Sequence, residues 1–284
     1  MADTPGWKPG DKIRVLVFGT PKIGKTFGAG TWPRPNILDY DRGIQTVFAP
    51  PFIKKHGYRK VVWKEFYERS FQGPIVSAHN AYDDSCRYFD EMMLPKNRDT
   101  FDTWVVDSGT TLSEDAQNKA VILLGTKEYN YQSQTHKQAL QHKLLVPKIQ
   151  DYGAERSLVE QFIDMVASTD KNFVLICHEY EATDEKGNVV GVLPLLTGKS
   201  RQAVPLKFSE LYWLRMARRG EDWVTLCLTE SDGIHLAGSR TGVTGEIEWT
   251  YDAVLDAMTK AYDERVKLIA AAEKAADAAR PTAA

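Results

Sequence analysis

The stretch that most constrains this chain is VLVFGTPKIGKTFGAG, Val15 to Gly30. An unbroken apolar run gives way there to a glycine-rich turn, and Gly19 to Thr26 satisfies the pattern G-x-x-x-x-G-K-T/S. Apolar residues that follow one another without alternation mark a strand buried on both faces. The glycines let the loop wrap so that successive backbone N–H groups point inward. Lys25 supplies a point charge for β- and γ-phosphates, and Thr26 offers a hydroxyl to Mg²⁺. Gly19, Thr20, Pro21, Lys22, Ile23, Gly24, Lys25, Thr26 and Phe27 are therefore the expected contacts to a nucleoside triphosphate.

The same kind of run recurs along the chain: IRVLVF at 13–18, NILDY at 36–40, TWVVD at 103–107, NFVLICH at 172–178, LYWLRM at 211–216 and WVTLCL at 223–228. Helix-like stretches separate them, among them DYGAERSLVEQFIDMVAS, whose Leu158, Phe162, Ile163 and Val166 recur at helical spacing. This is an α/β pattern with a mostly parallel sheet. The last two runs are so close together that they form an antiparallel hairpin appended to it. Residues 1–250 are expected to make one core. Residues 251–284 should be a C-terminal helix that fades into a partly disordered alanine-rich tail.

Composition bounds the rest. The 36 basic and 38 acidic residues leave a net charge of −2, so a polyanion would need a local basic patch. Cys86, Cys177 and Cys227 are far apart and odd in number, which suits reduced thiols in a cytoplasmic protein, or in host cytoplasm for a viral one. No apolar run approaches the length of a membrane span and the start has no signal-peptide character, so no membrane is expected.

A phosphate loop needs a carboxylate for the metal, and Asp107 ends the apolar strand TWVVD. Thr26 and Asp107 are the expected metal residues. Hydrolysis also needs a group that orients or deprotonates water. The second strand ends with Asp39 and Asp41, two residues apart; Asp41, nearer the strand exit, is the first choice and Asp39 the alternative. His178 stands at the polar tip of the fourth strand, where it can meet a γ-phosphate.

In this order the four strand ends resemble the RecA-type recombinase core. In that family a catalytic carboxylate matches Asp41, the VVDS strand holds a metal aspartate matching Asp107, and a glutamine sensor sits where His178 stands. Histidine in place of glutamine, the CHE at 177–179 and the later TGK at 197–199 resemble more nearly the Sak-type phage single-strand annealing ATPases. The resemblance spans roughly residues 11–250 and implies a RecA-like P-loop ATPase using ATP and Mg²⁺. It also implies a homo-oligomer, ring or filament, in which a cation from one subunit reaches the neighbour's γ-phosphate. Arg240 in GIHLAGSRTG is the first candidate, with Lys199 and Arg201 as others. The partner position is Gly238, which departs from a paired arrangement, and with some ten residues ahead of the first apolar run no RecA-like oligomerising arm is expected, so a filament does not follow from the resemblance.

The resemblance further implies two loops facing single-stranded DNA. The first falls within 112–150, where Lys127, Lys137, His142, Lys143 and Lys148 accompany Tyr129 and Tyr131. Cations interleaved with aromatics serve both the backbone charge and the stackable bases of a single strand. The second, 179–201, carries Lys186, Lys199 and Arg201. The leading expectation is a DNA-dependent ATPase that promotes annealing or homologous recombination, with a single-strand DNA-binding protein as a further partner. The alternatives are a hexameric helicase-like or packaging-type motor, a nucleotide-gated protein-binding module and a small-molecule kinase.

Overall fold

A computed structural model describes residues 6–66, 81–123, 129–131, 142–144, 149–220 and 222–278. In chain order its strands are β1 (Arg14–Phe18), β2 (Pro35–Asp39), β3 (Val62–Glu65), β4 (Thr103–Asp107), β5 (Tyr129–Tyr131), β6 (His142–Leu144) and β7 (Asn172–Cys177). They continue as β8 (Glu179–Thr183), β9 (Val189–Pro194), β10 (Glu210–Arg219), β11 (Asp222–Leu228), β12 (Gly238–Ser239) and β13 (Glu246–Glu248). Nine of these described strands form one sheet in the order β13-β11-β10-β1-β7-β4-β2-β3, with β12 beside β10. From β10 to β3 every pairing is parallel. The β10–β11 hairpin and β13 add the antiparallel end. This is the expected RecA-like P-loop core with its appended hairpin.

The continuous apolar runs are explained by two cores, one on each face. In β1, Leu16 and Phe18 enter the first core and Val15 and Val17 the second, because successive side chains alternate across a strand. Helices 81–93, 109–123 and 149–167 cover the first face through residues such as Phe89, Leu112, Phe162 and Val166. The helix predicted from Phe162, Ile163 and Val166 is thus the one whose apolar stripe is buried. Phe52, Val254 and Met258 cover the other face, beside Val47. Trp104, fully buried against Phe89 and Phe101, illustrates the energetics: truncating such a side chain costs about 3–5 kcal/mol.

One expectation is corrected. Segment 179–201 is not simply a loop: β8 and β9 pair as an antiparallel hairpin. Its turn is built by Asp184, which accepts the backbone N–H groups of Lys186 and Asn188, with Gly187 at φ 83°. The C-terminal helix runs unbroken from Tyr251 to Ala278, continuing through the alanine-rich stretch because alanine has the highest helix propensity. Of the segment expected to be the first DNA-facing loop, 112–123 lies in helix Gly109–Leu123, and β5 pairs with β6. Lys127, Lys137 and Lys148 lie outside the described residues, as do the side chains of Tyr129, Tyr131, His142 and Lys143. Among the described residues no helix is long and apolar enough to cross a membrane.

The consequence for function is directional. Parallel pairing brings the C-terminal ends of β1, β2, β4 and β7 to one edge, where an open α/β sheet leaves its crevice. Gly19 to Thr26, Asp41, Asp107 and His178 all stand at that edge.

Candidate nucleotide site

The loop after β1 is held in shape by backbone conformations and by its neighbours. Gly24 has φ 96° and Lys22 φ 65°, the left-handed region that glycine adopts without strain. A Cβ on Gly24 would lie 2.5 Å from the Thr225 hydroxyl, so glycine is also required by space. That hydroxyl donates to the Ile23 carbonyl at 2.7 Å, fixing the loop to β11. On the other flank, Trp249 Nε1 donates to the Lys25 carbonyl at 2.8 Å.

Lys25 is buried, and its ammonium donates to the carbonyls of Gly19 and Thr20 at 2.8 and 2.7 Å. Burial lowers its pKa, opposed chiefly by the charge of Asp107. Thr26 Oγ1 donates to Asp107 Oδ2 at 2.5 Å. The Asp107 carboxyl is pushed up to about 7, first by burial and then by the charges of Asp41 and Asp39, against the Thr26 bond and Lys25. A hydroxyl and a carboxylate make a hard-oxygen pair that fits Mg²⁺, which binds through one or two carboxylates and completes its shell with water and phosphate. Among the described residues no cluster of three or more His, Cys, Asp and Glu could cage a metal, so a cation here would depend on ligand oxygens. Space for it is kept by Gly43, whose absent Cβ would come 3.4 Å from Thr26 Oγ1 and 3.5 Å from Asp107 Oδ2.

The two candidate aspartates at the end of β2 do different work. Asp39 is fully buried, and its oxygens accept the backbone N–H groups of Gly43 and Ile44 at 2.8 and 3.0 Å. It shapes the turn. Asp41 lines the cleft: its Oδ1 accepts the Thr111 hydroxyl, and its Oδ2 lies 3.0 Å from His178 Nε2. Burial raises the Asp41 pKa, but the bonds from His178, Thr111 and Ser108 outweigh it and the net shift is downward. The group therefore stays ionised at neutral pH, which suits orienting and polarising a water.

The cleft has a volume of about 960 Å³ and is lined by Pro21 to Phe27, Asp41, Asp107 and His178, together with residues of β10, β11 and the β13 end. Gly19 and Thr20 bound it through the carbonyls that hold Lys25. Arg240 does not line the cleft of its own chain; its guanidinium donates to the Leu206 carbonyl at 2.8 Å. Lys199 is exposed, and Arg201 lies over the Tyr180 ring at 3.6 Å.

The structure adds residues that the sequence pattern did not single out. Thr110 accepts the His178 N–H at 3.0 Å and donates to the Leu195 carbonyl at 2.8 Å. Ser113 and Thr197 both donate to the buried Glu155, the former at 2.8 Å. The hydroxyl-rich run SGTTLS directly after Asp107 is the signal that could have found Thr110, Thr111 and Ser113. Nothing in the sequence points to Thr225 or Trp249.

Residues 11–241 match the family described as AAA domain. No curated protein matches. Among solved structures, similarity extends to the KaiC-like protein PH0186 from the hyperthermophilic archaeon Pyrococcus horikoshii OT3. It is 10% identical over 83% of this chain and 84% of that one, with a TM-score of 0.41. The flagellar accessory protein FlaH from Methanocaldococcus jannaschii is 10% identical over the same shares, with a TM-score of 0.35.

Proposed function

This chain belongs to the AAA domain family and has the fold of a RecA-like P-loop ATPase; from that premise we propose that it binds ATP with Mg²⁺ and single-stranded DNA, and that it promotes annealing or homologous recombination in the manner of the Sak-type phage ATPases. Backbone amides of the loop and Lys25 hold the polyphosphate, Thr26 and Asp107 hold the cation, and Asp41 orients the attacking water. His178 meets the γ-phosphate. Subunits assemble as a homo-oligomer in which Arg240, Lys199 or Arg201 completes a neighbour's site, and a single-strand DNA-binding protein is a partner in the same process.

The observation that carries the DNA reading is Thr110. Its hydroxyl ties the backbone of His178, at the phosphate end of the cleft, to Leu195, just before the segment with exposed Lys199 and with Arg201 stacked on Tyr180. A change at the γ-phosphate therefore has a direct mechanical route to two cations and an aromatic ring, the combination that binds single strands. The test is a gel shift with single-stranded DNA, with and without ATP and Mg²⁺, using Lys25→Ala as control. Nucleotide-dependent retardation by the parent and none by the variant is the expected result. Equal mobility under all conditions would sink the DNA reading and leave a nucleotide-gated protein-binding module in its place.

A further inference from the structure

The cleft has two sides, and the phosphate chemistry occupies only one. β1 lies between β7 and β10. Asp41, Asp107 and His178 follow or end β2, β4 and β7, all on the β7 side. The opposite side is the β10–β11 hairpin, which contributes Met216, Trp223, Val224 and Thr225 to the cleft lining. None of these carries a charge to match a phosphate or a cation, and the Thr225 hydroxyl is already given to the Ile23 carbonyl.

A triphosphate seated on residues 19–26 has two distinct ends. The reacting end must face the metal pair and Asp41, so the other end leaves on the far side of the loop, where the lining includes Pro51, Lys55 and Glu248 besides the hairpin and where Trp223 is the exposed aromatic ring, Trp249 being buried. What it meets there is apolar and open to ligand: Trp223 is 65% exposed and Met216 41%. Trp223 lies two residues from Thr225 on β11, hence on the same face, and Thr225 is fixed to Ile23 and packed under Gly24. Met216 pairs opposite Thr225, diagonal to Trp223 and within reach of it. The two side chains thus form one surface held in register with the phosphate loop.

We infer that Trp223, flanked by Met216, is the platform on which the nucleobase stacks. The inference rests on the nucleotide reading above and deepens it: the site takes a nucleoside triphosphate rather than any polyphosphate, and purine rings, having the larger face, gain most. Base–aromatic stacking tolerates any base because each has a π-face. The platform therefore selects for a base without reading its edge.

Calorimetric titration of the full chain with ATP and with inorganic tripolyphosphate, both with Mg²⁺, tests this. The parent should bind both and Lys25→Ala neither. Trp223→Ala should weaken ATP binding about ten-fold or more, as loss of one base–aromatic stack does, while its tripolyphosphate affinity stays within about two-fold of the parent's. Trp223→Phe, which keeps an aromatic face, should recover most of the ATP affinity. Parental ATP affinity in Trp223→Ala overturns the platform, as does an equal loss for tripolyphosphate. If the parent binds neither ligand, the nucleotide reading itself fails and the platform with it.

Discussion

The hydroxyl of Thr26 and the carboxylate of Asp107, 81 residues apart in sequence, meet at 2.5 Å at the place where a cation would sit. The proton balance of Asp107 decides when that cation can bind. Its carboxyl titrates at about 7 in the fold and near 3.8 when unfolded. Between those values the folded state holds more protons, so Asp107 lowers stability as pH rises through this window, and the loss is complete above about 7. Mg²⁺ must displace that proton, so its affinity should climb with pH up to about 7 and then level. Asp115, also pushed up to about 7 by burial, contributes a slope of the same sign. Asp107→Asn should therefore flatten, without abolishing, the fall of the thermal midpoint between pH 4 and 7, and should remove its rise with Mg²⁺ and ATP. A variant whose midpoint tracks the parent's across that range would show that Asp107 is not the titrating group.

Asp39 and Asp41 should separate by assay. Asp41→Asn keeps the turn and the loop intact, so ATP affinity should stay within a few-fold while turnover falls about 10²–10⁴-fold, the range for loss of a positioned proton acceptor. Asp39→Asn presents an amide to backbone N–H groups of Gly43 and Ile44 that now donate to a carboxylate. Losing one such bond costs about 1–3 kcal/mol, and the effect should appear first in denaturant midpoint. Steady-state turnover beside urea unfolding checks both; parental turnover in Asp41→Asn would transfer the catalytic role elsewhere.

How legible all this was depends on range. Val15 to Phe18, Thr103 to Asp107 and Phe173 to Cys177 announce buried parallel strands because both faces of the sheet are covered, and the glycine spacing announces the loop. Asp39 and Asp41 stayed alternatives because two residues on one strand end look equivalent until the backbone of Gly43 and Ile44 is seen to occupy one of them. β8 reads as loop from the sequence because EYEAT is polar and mostly solvent-facing, so neither period nor composition marks it. Thr225 and Trp249 could not be found at all: their bonds to Ile23 and Lys25 span 202 and 224 residues, and only the assembled sheet brings them together.

Thr110→Val should uncouple the cleft from segment 195–201. The substitution removes both hydroxyl bonds, to the His178 N–H and the Leu195 carbonyl, while nearly preserving shape. Leaving the His178 N–H unpaired costs about 1–3 kcal/mol of stability. ATP affinity should stay within a few-fold, and any difference in DNA retention between ATP and ADP should disappear. Filter binding of a labelled single strand in both nucleotide states measures it; an undiminished nucleotide effect would place the coupling in another route, such as Ser113 and Glu155.

Gly28 offers the sharpest steric prediction. A Cβ there would fall 2.0 Å from Trp249 Cδ1 and 2.4 Å from the Trp249 carbonyl oxygen. Alanine gains about 0.8–1 kcal/mol over glycine in helix propensity, but such overlap can be relieved only by moving both the buried indole and the Trp249 backbone, and overpacking of this kind costs about 1–3 kcal/mol. Gly28→Ala should therefore destabilise despite the better helix former. Because moving the indole also strains its bond to the Lys25 carbonyl, ATP affinity should fall with stability. Trp249→Ala alone should cost about 3–5 kcal/mol, yet the double variant should be more stable than the sum of the two predicts, since the indole part of the clash is gone and only the backbone carbonyl overlap remains. Urea unfolding of the four proteins closes the cycle, and strict additivity would mean that the two residues do not touch.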